Sequence, residues 1–193
     1  MSSGISLIVG LGNPGAEYQH TRHNAGAWFV QKLADDANVI LRSTAKFHGL
    51  HSSITLHGKE CHLLIPTTFM NLSGQAIQAL ANYYKITPEQ ILIAHDELDL
   101  PIGEVRLKLS GGHGGHNGLR DTIRHLNTNN FYRLRIGIGH PGNSHLVHNY
   151  VLSPPKKTEQ SLIDNALSDA ERVLPFLLRG EMQKAMMELH TIK

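Results

Sequence analysis

Two residues of the sequence, His23 and Asp96, have side chains suited to proton transfer at neutral pH. A histidine accepts a proton near pH 7 only when a partner such as a carboxylate holds its ring in the right tautomer. Asp96 ends an apolar segment predicted to be a central strand, and His23 lies in a polar loop after an earlier predicted strand. We expect both at one edge of a sheet. The sequence alone leaves open whether they meet or are an unrelated pair.

Three asparagines, Asn13, Asn71 and Asn117, each lie where one predicted element gives way to the next. A capping or turn role is the ordinary explanation for an amide at such a junction. Three neutral amides can instead donate hydrogen bonds to an ester or amide and to the oxyanion that forms when it is attacked. The sequence therefore suggests a hydrolytic site with neutral donors as one hypothesis.

The elements that must position these residues alternate between strands and helices, which predicts an α/β fold. We expect a single domain over residues 1–193, with a central twisted mixed, mostly parallel sheet flanked by helices. Apolar runs predict strands at 5–9, 39–41, 46–57, 60–66, 90–94, 105–109 and 134–138. Helical spacing predicts helices at 25–34, at 71–84 with Asn71 as a possible N-cap, at 119–126, and from about residue 157. Pro175 should kink the helix that begins near residue 157, and Gly180 should end it. A short final helix is predicted at 181–190.

The first glycine turn, residues 10–15 (GLGNPG), also fits the G-x-G-x-x-G pattern of dinucleotide-binding proteins. In that fingerprint the helix begins within the glycine motif, so that its N-terminus meets the pyrophosphate. Here Pro14 removes a backbone N–H and the helix is delayed to about Asn24. The acidic residues that should end the second strand, Asp35 and Asp36, are instead predicted at a helix end. The pattern thus disfavours a nicotinamide cofactor, and we expect none.

A second glycine-rich segment, residues 110–118, precedes a predicted helix and suits close approach to an anion. A flexible connection is the alternative interpretation. The charge of the neighbourhood favours a phosphate, because residues 104–135 carry six basic side chains against two acidic ones although the whole chain has a net charge of only +2. The basic residues are Arg106, Lys108, Arg120, Arg124, Arg133 and Arg135.

Other classes of chemistry find weak support. The 14 histidines produce four H-x-x-H spacings, but none lies on a clearly predicted helix, so we expect no metal centre. No G-x-S-x-G motif is present, and the single cysteine, Cys61, lies inside an apolar strand. No segment approaches the ~20 apolar residues of a membrane span. A cytoplasmic protein without a membrane partner is expected.

Taken together, the motifs closely resemble those of the bacterial-type peptidyl-tRNA hydrolase family. The resemblance runs in order from about residue 5 to residue 152 and rests on residues 10–15 (GLGNPG), Tyr18 with 21–26 (TRHNAG), 66–74 (PTTFMNLSG), 96–101 (DELDLP), 114–120 (GGHNGLR) and 135–141 (RIGIGHP). Several motifs in the right order are far more specific than any single fingerprint.

The resemblance implies hydrolysis of the ester between a peptide and the 3′ ribose of tRNA, without a cofactor or metal, by a protein expected to be monomeric. It implies that His23 is the general base, that Asp96 orients it, and that Asn13 checks that the α-amino group is acylated. Asn71 and Asn117 would hold the peptide and the oxyanion. Contacts with the acceptor stem and 3′ end are implied for Tyr18, Phe69, Met70, His116, Arg106, Lys108 and Arg135. A non-catalytic RNA-binding member of the same fold, of the kind active in splicing, is the alternative.

Overall fold

The first strand, β1 (Leu7–Gly10), is buried along its whole length, as an uninterrupted apolar run predicts for a strand covered on both faces. It lies in the middle of a seven-stranded sheet in a computed structural model that describes residues 3–191. The other strands are β2 (Arg42–Thr44), β3 (Gly49–Leu56), β4 (Lys59–Pro66), β5 (Ile91–Glu97), β6 (Val105–Leu109) and β7 (Tyr132–Gly137).

The strand order is β2-β3-β4-β1-β5-β7-β6. The four central strands β4, β1, β5 and β7 run parallel, whereas β2 and β3 on one side and β6 on the other pair antiparallel. This confirms the predicted mixed sheet. Because β1 and β5 are parallel neighbours, the loop after β1 and the end of β5 reach the same edge of the sheet.

Helices cover both faces of the sheet. The seven α-helices that the structure describes within residues 3–191 are α1 (Ala25–Asp36), α2 (Ser73–Tyr84), α3 (Asn117–Leu126), α4 (Val147–Val151), α5 (Lys157–Arg172), α6 (Leu174–Leu178) and α7 (Met182–His190). One core forms between the sheet and α1, α5, α6 and α7, and a second forms beneath α2 and α3. Nowhere in residues 3–191 is a helix both long and apolar enough to cross a bilayer.

Glycines 10 and 26 allow β1, β5 and α1 to approach closely. A Cβ on Gly10 would lie 2.3 Å from the carbonyl oxygen of Gly26, and one on Gly26 would lie 2.1 Å from the carbonyl oxygen of Ala94. The first glycine of the turn therefore serves strand–helix packing. As predicted, α1 starts only at Ala25, after the polar loop, and Asp35 and Asp36 lie at its end.

Several predicted boundaries were wrong. A strand was predicted at 39–41, but Val39 and Leu41 only pack against the core, and pairing with β3 begins at Arg42. The strand predicted from residue 46 begins at Gly49, because a 3₁₀ turn occupies Ala45–Phe47. The kinked helix predicted from about residue 157 is two helices, α5 and α6, since the chain breaks at Val173 and Pro175 lies in the first turn of α6.

Asn71 is not the N-cap of α2. It lies in a 3₁₀ turn, Met70–Leu72, that leads into the helix. The backbone N–H of Gly74, in the first turn of α2, donates instead to Oδ2 of the buried Asp121 on α3, at 2.8 Å. A carboxylate from another helix satisfies this N–H, and no local pattern indicates such a contact.

Candidate active site

The carboxylate of Asp96 lies between two histidines at the end of β5. Its Oδ2 is 2.8 Å from Nδ1 of His23, and its Oδ1 is 2.8 Å from Nε2 of His116. His23 lies in a 3₁₀ turn just before α1, and His116 is the N-cap residue of α3. The structure thus brings together the predicted pair and adds a second imidazole.

The hydrogen bonds determine which ring nitrogens carry protons. Nδ1 of His116 accepts from the backbone N–H groups of Gly118 and Leu119 at 3.1 and 3.4 Å, so this nitrogen is unprotonated and Nε2–H is the donor to Asp96. On the other side, Nδ1–H of His23 donates to Asp96. Nε2 of His23 therefore retains its lone pair, which is the form that a general base needs.

Burial and charge act in opposite directions on this pair. Burial alone would lower the pKa of His23, but the charge of Asp96 and the hydrogen bond to it raise this pKa above its ordinary value. Burial would raise the pKa of Asp96, yet the two imidazoles and their hydrogen bonds hold it well below its usual range. Asp96 is only 4% exposed and remains ionised at neutral pH. The site therefore holds a fixed negative charge next to the His23 imidazole.

The loop after β1 orients the amide of Asn13. Oδ1 of Asn13 accepts from the backbone N–H of Met70 at 2.7 Å, which leaves Nδ2 as the free end of the side chain. Its backbone is fixed by Asn24, whose side chain accepts from the N–H of Asn13 at 2.9 Å and donates to its carbonyl at 3.0 Å. Asn13 thus presents N–H donors in a defined direction.

These groups open into a cleft with a volume of about 740 Å³. Of the residues predicted for the site, the cleft is lined by Asn13, His23, Phe69, Met70, Asn71, Asp96, Lys108, His116, Asn117 and Arg135. Asn71 and Asn117 are exposed at its rim, and Oδ1 of Asn117 accepts from Nη1 of Arg120 at 3.3 Å. The cleft therefore brings amides from three different segments of the chain together with His23.

Basic side chains line one wall of the cleft. Lys108 on β6 lies directly across from Arg133 on β7, and both line the cleft together with Arg135. Arg106 is exposed beside Glu104, at 3.8 Å, and does not line the cleft. Tyr18 is half-buried in the loop after β1, and the structure does not bring it into the cleft either.

Over residues 7–193, the sequence matches the family described as Peptidyl-tRNA hydrolase. The chain belongs to the peptidyl-tRNA hydrolase family. It is 58% identical over 189 residues to the peptidyl-tRNA hydrolase of Nitrosospira multiformis, covering 98% of this chain and 99% of that one. It is also 58% identical over 192 residues to that of Shewanella baltica, covering 99% and 98% of the two chains.

A solved structure resembles this fold closely over its whole length. The crystal structure of peptidyl-tRNA hydrolase from Acinetobacter baumannii superimposes with a TM-score of 0.96 at 50% sequence identity, covering 100% of this chain and 98% of that chain. The resemblance to the bacterial-type peptidyl-tRNA hydrolases is thereby confirmed in both sequence and fold.

Among the cleft residues that were not predicted for the site are three charged or titratable side chains in contact with residues of the cleft or its glycine-rich loop. His95 is buried, donates from Nδ1 to the carbonyl of Asp96 at 2.8 Å, and has its pKa lowered to about 4 by burial and by His116. Arg133 is buried and donates to the carbonyls of Gly111 and Gly112, so it holds the glycine-rich loop. Glu97 pairs with Arg135 at 2.9 Å. The sequence signal for His95 was its adjacency to Asp96, and Glu97 lies within the motif at 96–101 (DELDLP).

One group of potential metal ligands occurs among residues 3–191. His23, Asp96 and His116 offer ligand atoms within 4.8 Å of one another. Each of the facing nitrogens carries a proton that it donates to Asp96, so an ion at this position would have to displace both protons. The two imidazole nitrogens and both carboxylate oxygens of this group are therefore already occupied by hydrogen bonds to one another.

Proposed function

We propose that this protein hydrolyses the ester that joins the C-terminal carbonyl of a peptide to the 3′ ribose of tRNA, releasing the tRNA for reuse in translation. The observation that carries the proposal is the contact between Nδ1 of His23 and Asp96, which leaves Nε2 free at the cleft. We further expect a monomeric, cytoplasmic protein that uses no cofactor.

In the proposed reaction, Nε2 of His23 takes a proton from water while the water oxygen attacks the ester carbonyl. Asp96 stabilises the imidazolium that results, because it is ionised, buried and hydrogen-bonded to the opposite nitrogen. The tetrahedral intermediate then collapses, the bond from carbon to the ribose 3′ oxygen breaks, and the proton returns from His23 to that oxygen. Atoms and charges balance without a further reactant.

The amides would recognise the peptide and the oxyanion. Asn13 offers its Nδ2 donors because Met70 occupies Oδ1, so it suits an acceptor such as the carbonyl of an acylated α-amino group. Asn71 and Asn117 lie at the rim of the same cleft, where their amides can donate to the peptide backbone and the developing oxyanion. A free ammonium is a donor and would face the NH₂ group, the end of the Asn13 amide that Met70 leaves open.

Lys108 and Arg135 would bind phosphates of the acceptor stem, with Phe69 and Met70 near the 3′ end. They line one wall of the cleft that contains His23. Binding through phosphates is independent of sequence and weakens with salt. Since a non-catalytic RNA-binding protein has no need for a buried carboxylate that orients an imidazole at the cleft, the hydrolase is the better supported of the two functions.

The test is release of free tRNA from a peptidyl-tRNA but not from an unblocked aminoacyl-tRNA. His23→Ala should abolish release of tRNA, because the contribution of a general base to the rate is about 10²–10⁴-fold. The affinity for deacylated tRNA should stay within about twofold of the wild type. His20→Ala, which changes an exposed histidine of the same loop, is the matched control and should retain full activity. Cleavage by His23→Ala would refute the assignment of the base.

A further inference from the structure

The cleft contains a carboxylate beside one of its arginines. Oε1 of Glu97 lies 2.9 Å from Nε of Arg135, and the other oxygen, Oε2, accepts from the backbone N–H of Asp99 at 3.2 Å. Both side chains line the cleft and are mostly buried, with 19% and 23% of their surfaces exposed. Of the lysines and arginines that line the cleft, Arg135 alone is paired with a carboxylate in residues 3–191.

The pair leaves part of the guanidinium unused. Glu97 contacts Nε, whereas the two Nη groups of Arg135 make no hydrogen bond within residues 3–191. A phosphate can therefore approach the Nη edge, but it does so with a carboxylate fixed on the adjacent edge. Glu97 does not swing away freely, because the N–H of Asp99 holds its second oxygen.

We propose that Glu97 weakens the hold of Arg135 on tRNA phosphate and so speeds the departure of the deacylated product. The inference rests on the proposed function. Substrate and product share every phosphate, so strong phosphate contacts bind both equally and slow product release without accelerating the chemistry. A carboxylate beside one phosphate-binding arginine reduces this shared affinity while Lys108 keeps its contact.

The experiment compares Glu97→Gln with the wild type in binding of deacylated tRNA. We expect the dissociation constant and the dissociation rate to fall by about three- to tenfold, as removal of one carboxylate ~6 Å from a phosphate implies at an effective dielectric constant of about 40 to 80. The slope of the logarithm of the tRNA binding constant against the logarithm of the salt concentration should become steeper by up to about 0.7. In the Arg135→Gln background, Glu97→Gln should have a smaller effect on tRNA affinity, because a phosphate that Arg135 no longer holds does not lie beside the carboxylate.

Glu104→Gln is the matched control. It removes the same charge from the same part of the chain, but Glu104 pairs with Arg106 outside the cleft and both side chains are about half exposed. It should change tRNA affinity by less than about twofold. Equal tightening in both variants would reduce the effect to net charge and overturn the inference.

An unchanged or weakened affinity in Glu97→Gln would also overturn it, and the weakened case would mean that Glu97 orients Arg135 for binding. Thermal unfolding of each variant separates these results from misfolding. Because deacylated tRNA is the ligand, the outcome does not depend on cleavage. An enzyme that fails to cleave peptidyl-tRNA would refute the proposed function and leave this measurement interpretable.

Discussion

Replacing Asp96 by asparagine should remove nearly all activity for a reason that the hydrogen bonds specify. Asp96 accepts from two N–H donors, His23 Nδ1 and His116 Nε2, at 2.8 Å each. Asparagine has one carbonyl oxygen and one NH₂ group, so it can accept from only one of them. His116 cannot change tautomer without losing the N–H groups that donate to its Nδ1. The oxygen of the substituted amide should therefore face His116, and its NH₂ should face His23.

A donor facing Nδ1 forces His23 into the tautomer with a proton on Nε2, which cannot take a proton from water. The same tautomer error in serine proteases costs about 10⁴ in kcat. We expect Asp96→Asn to lower the single-turnover rate of tRNA release from an N-acylated aminoacyl-tRNA by about 10³–10⁴. The dissociation constant of deacylated tRNA should stay within about twofold, since the Asp96 side chain is buried.

A second variant tests the tautomer argument itself. His116→Asn can still cap α3, but its side chain is too short to reach position 96. In Asp96→Asn/His116→Asn the amide at position 96 is free to turn its oxygen toward His23 and restore the productive tautomer. The double variant should therefore be faster than Asp96→Asn, by about tenfold or more. If it is equally slow or slower, or if Asp96→Asn alone keeps more than a tenth of the wild-type rate, the reasoning is wrong.

Three further predictions concern conditions and charge. The rate of tRNA release should fall as pH drops through the pKa of His23, because a protonated Nε2 cannot accept a proton from water. Since this pKa is raised, the fall should begin at a pH above the ordinary histidine value of about 6.5. A flat profile down to pH 5 would contradict a histidine base. Activity should survive dialysis against a strong chelator, and a loss that zinc restores would instead place a metal on the three-ligand group at Asp96. Replacing Arg106 and Lys108 together with alanine should weaken tRNA binding. The slope of log K against log salt concentration should become shallower by about 0.7–0.9 for each phosphate that is no longer neutralised. Lys108→Ala alone should account for most of the change, because Arg106 lies outside the cleft.

The sequence predicted the centre of the fold better than its margins. The apolar runs of β1 and β5 are continuous because these strands are covered on both faces, and such runs are visible without any tertiary contact. At the margin, β2 is an edge strand whose side chains are largely exposed, so pairing with β3 is its only distinguishing feature. Helix α4 spans five residues, too few to show a helical period.

For the site too, some contacts could be predicted from the sequence and others could not. His23, Asp96 and Asn13 could be predicted because the ends of parallel neighbouring strands must meet at one edge. The way His116 joins them could not, because it depends on the angle at which α3 starts after a loop of glycines. Likewise, Arg135 looked like a free cation in the sequence, and only the structure places Glu97 against its Nε. Contacts between side chains on different elements decide both cases.

The positions of the two imidazole protons that Asp96 accepts can be traced to the backbone of α3. The first free N–H groups of that helix donate to Nδ1 of His116, which obliges Nε2–H to donate to Asp96. The remaining oxygen of Asp96 then accepts from Nδ1 of His23, and Nε2 is left as the acceptor at the cleft. A helix N-terminus always has N–H groups without helical partners, so this source of donors does not titrate. The end of the glycine-rich segment before α3, for which the sequence suggested phosphate binding, thus takes part in setting which nitrogen of His23 is an acceptor at the cleft.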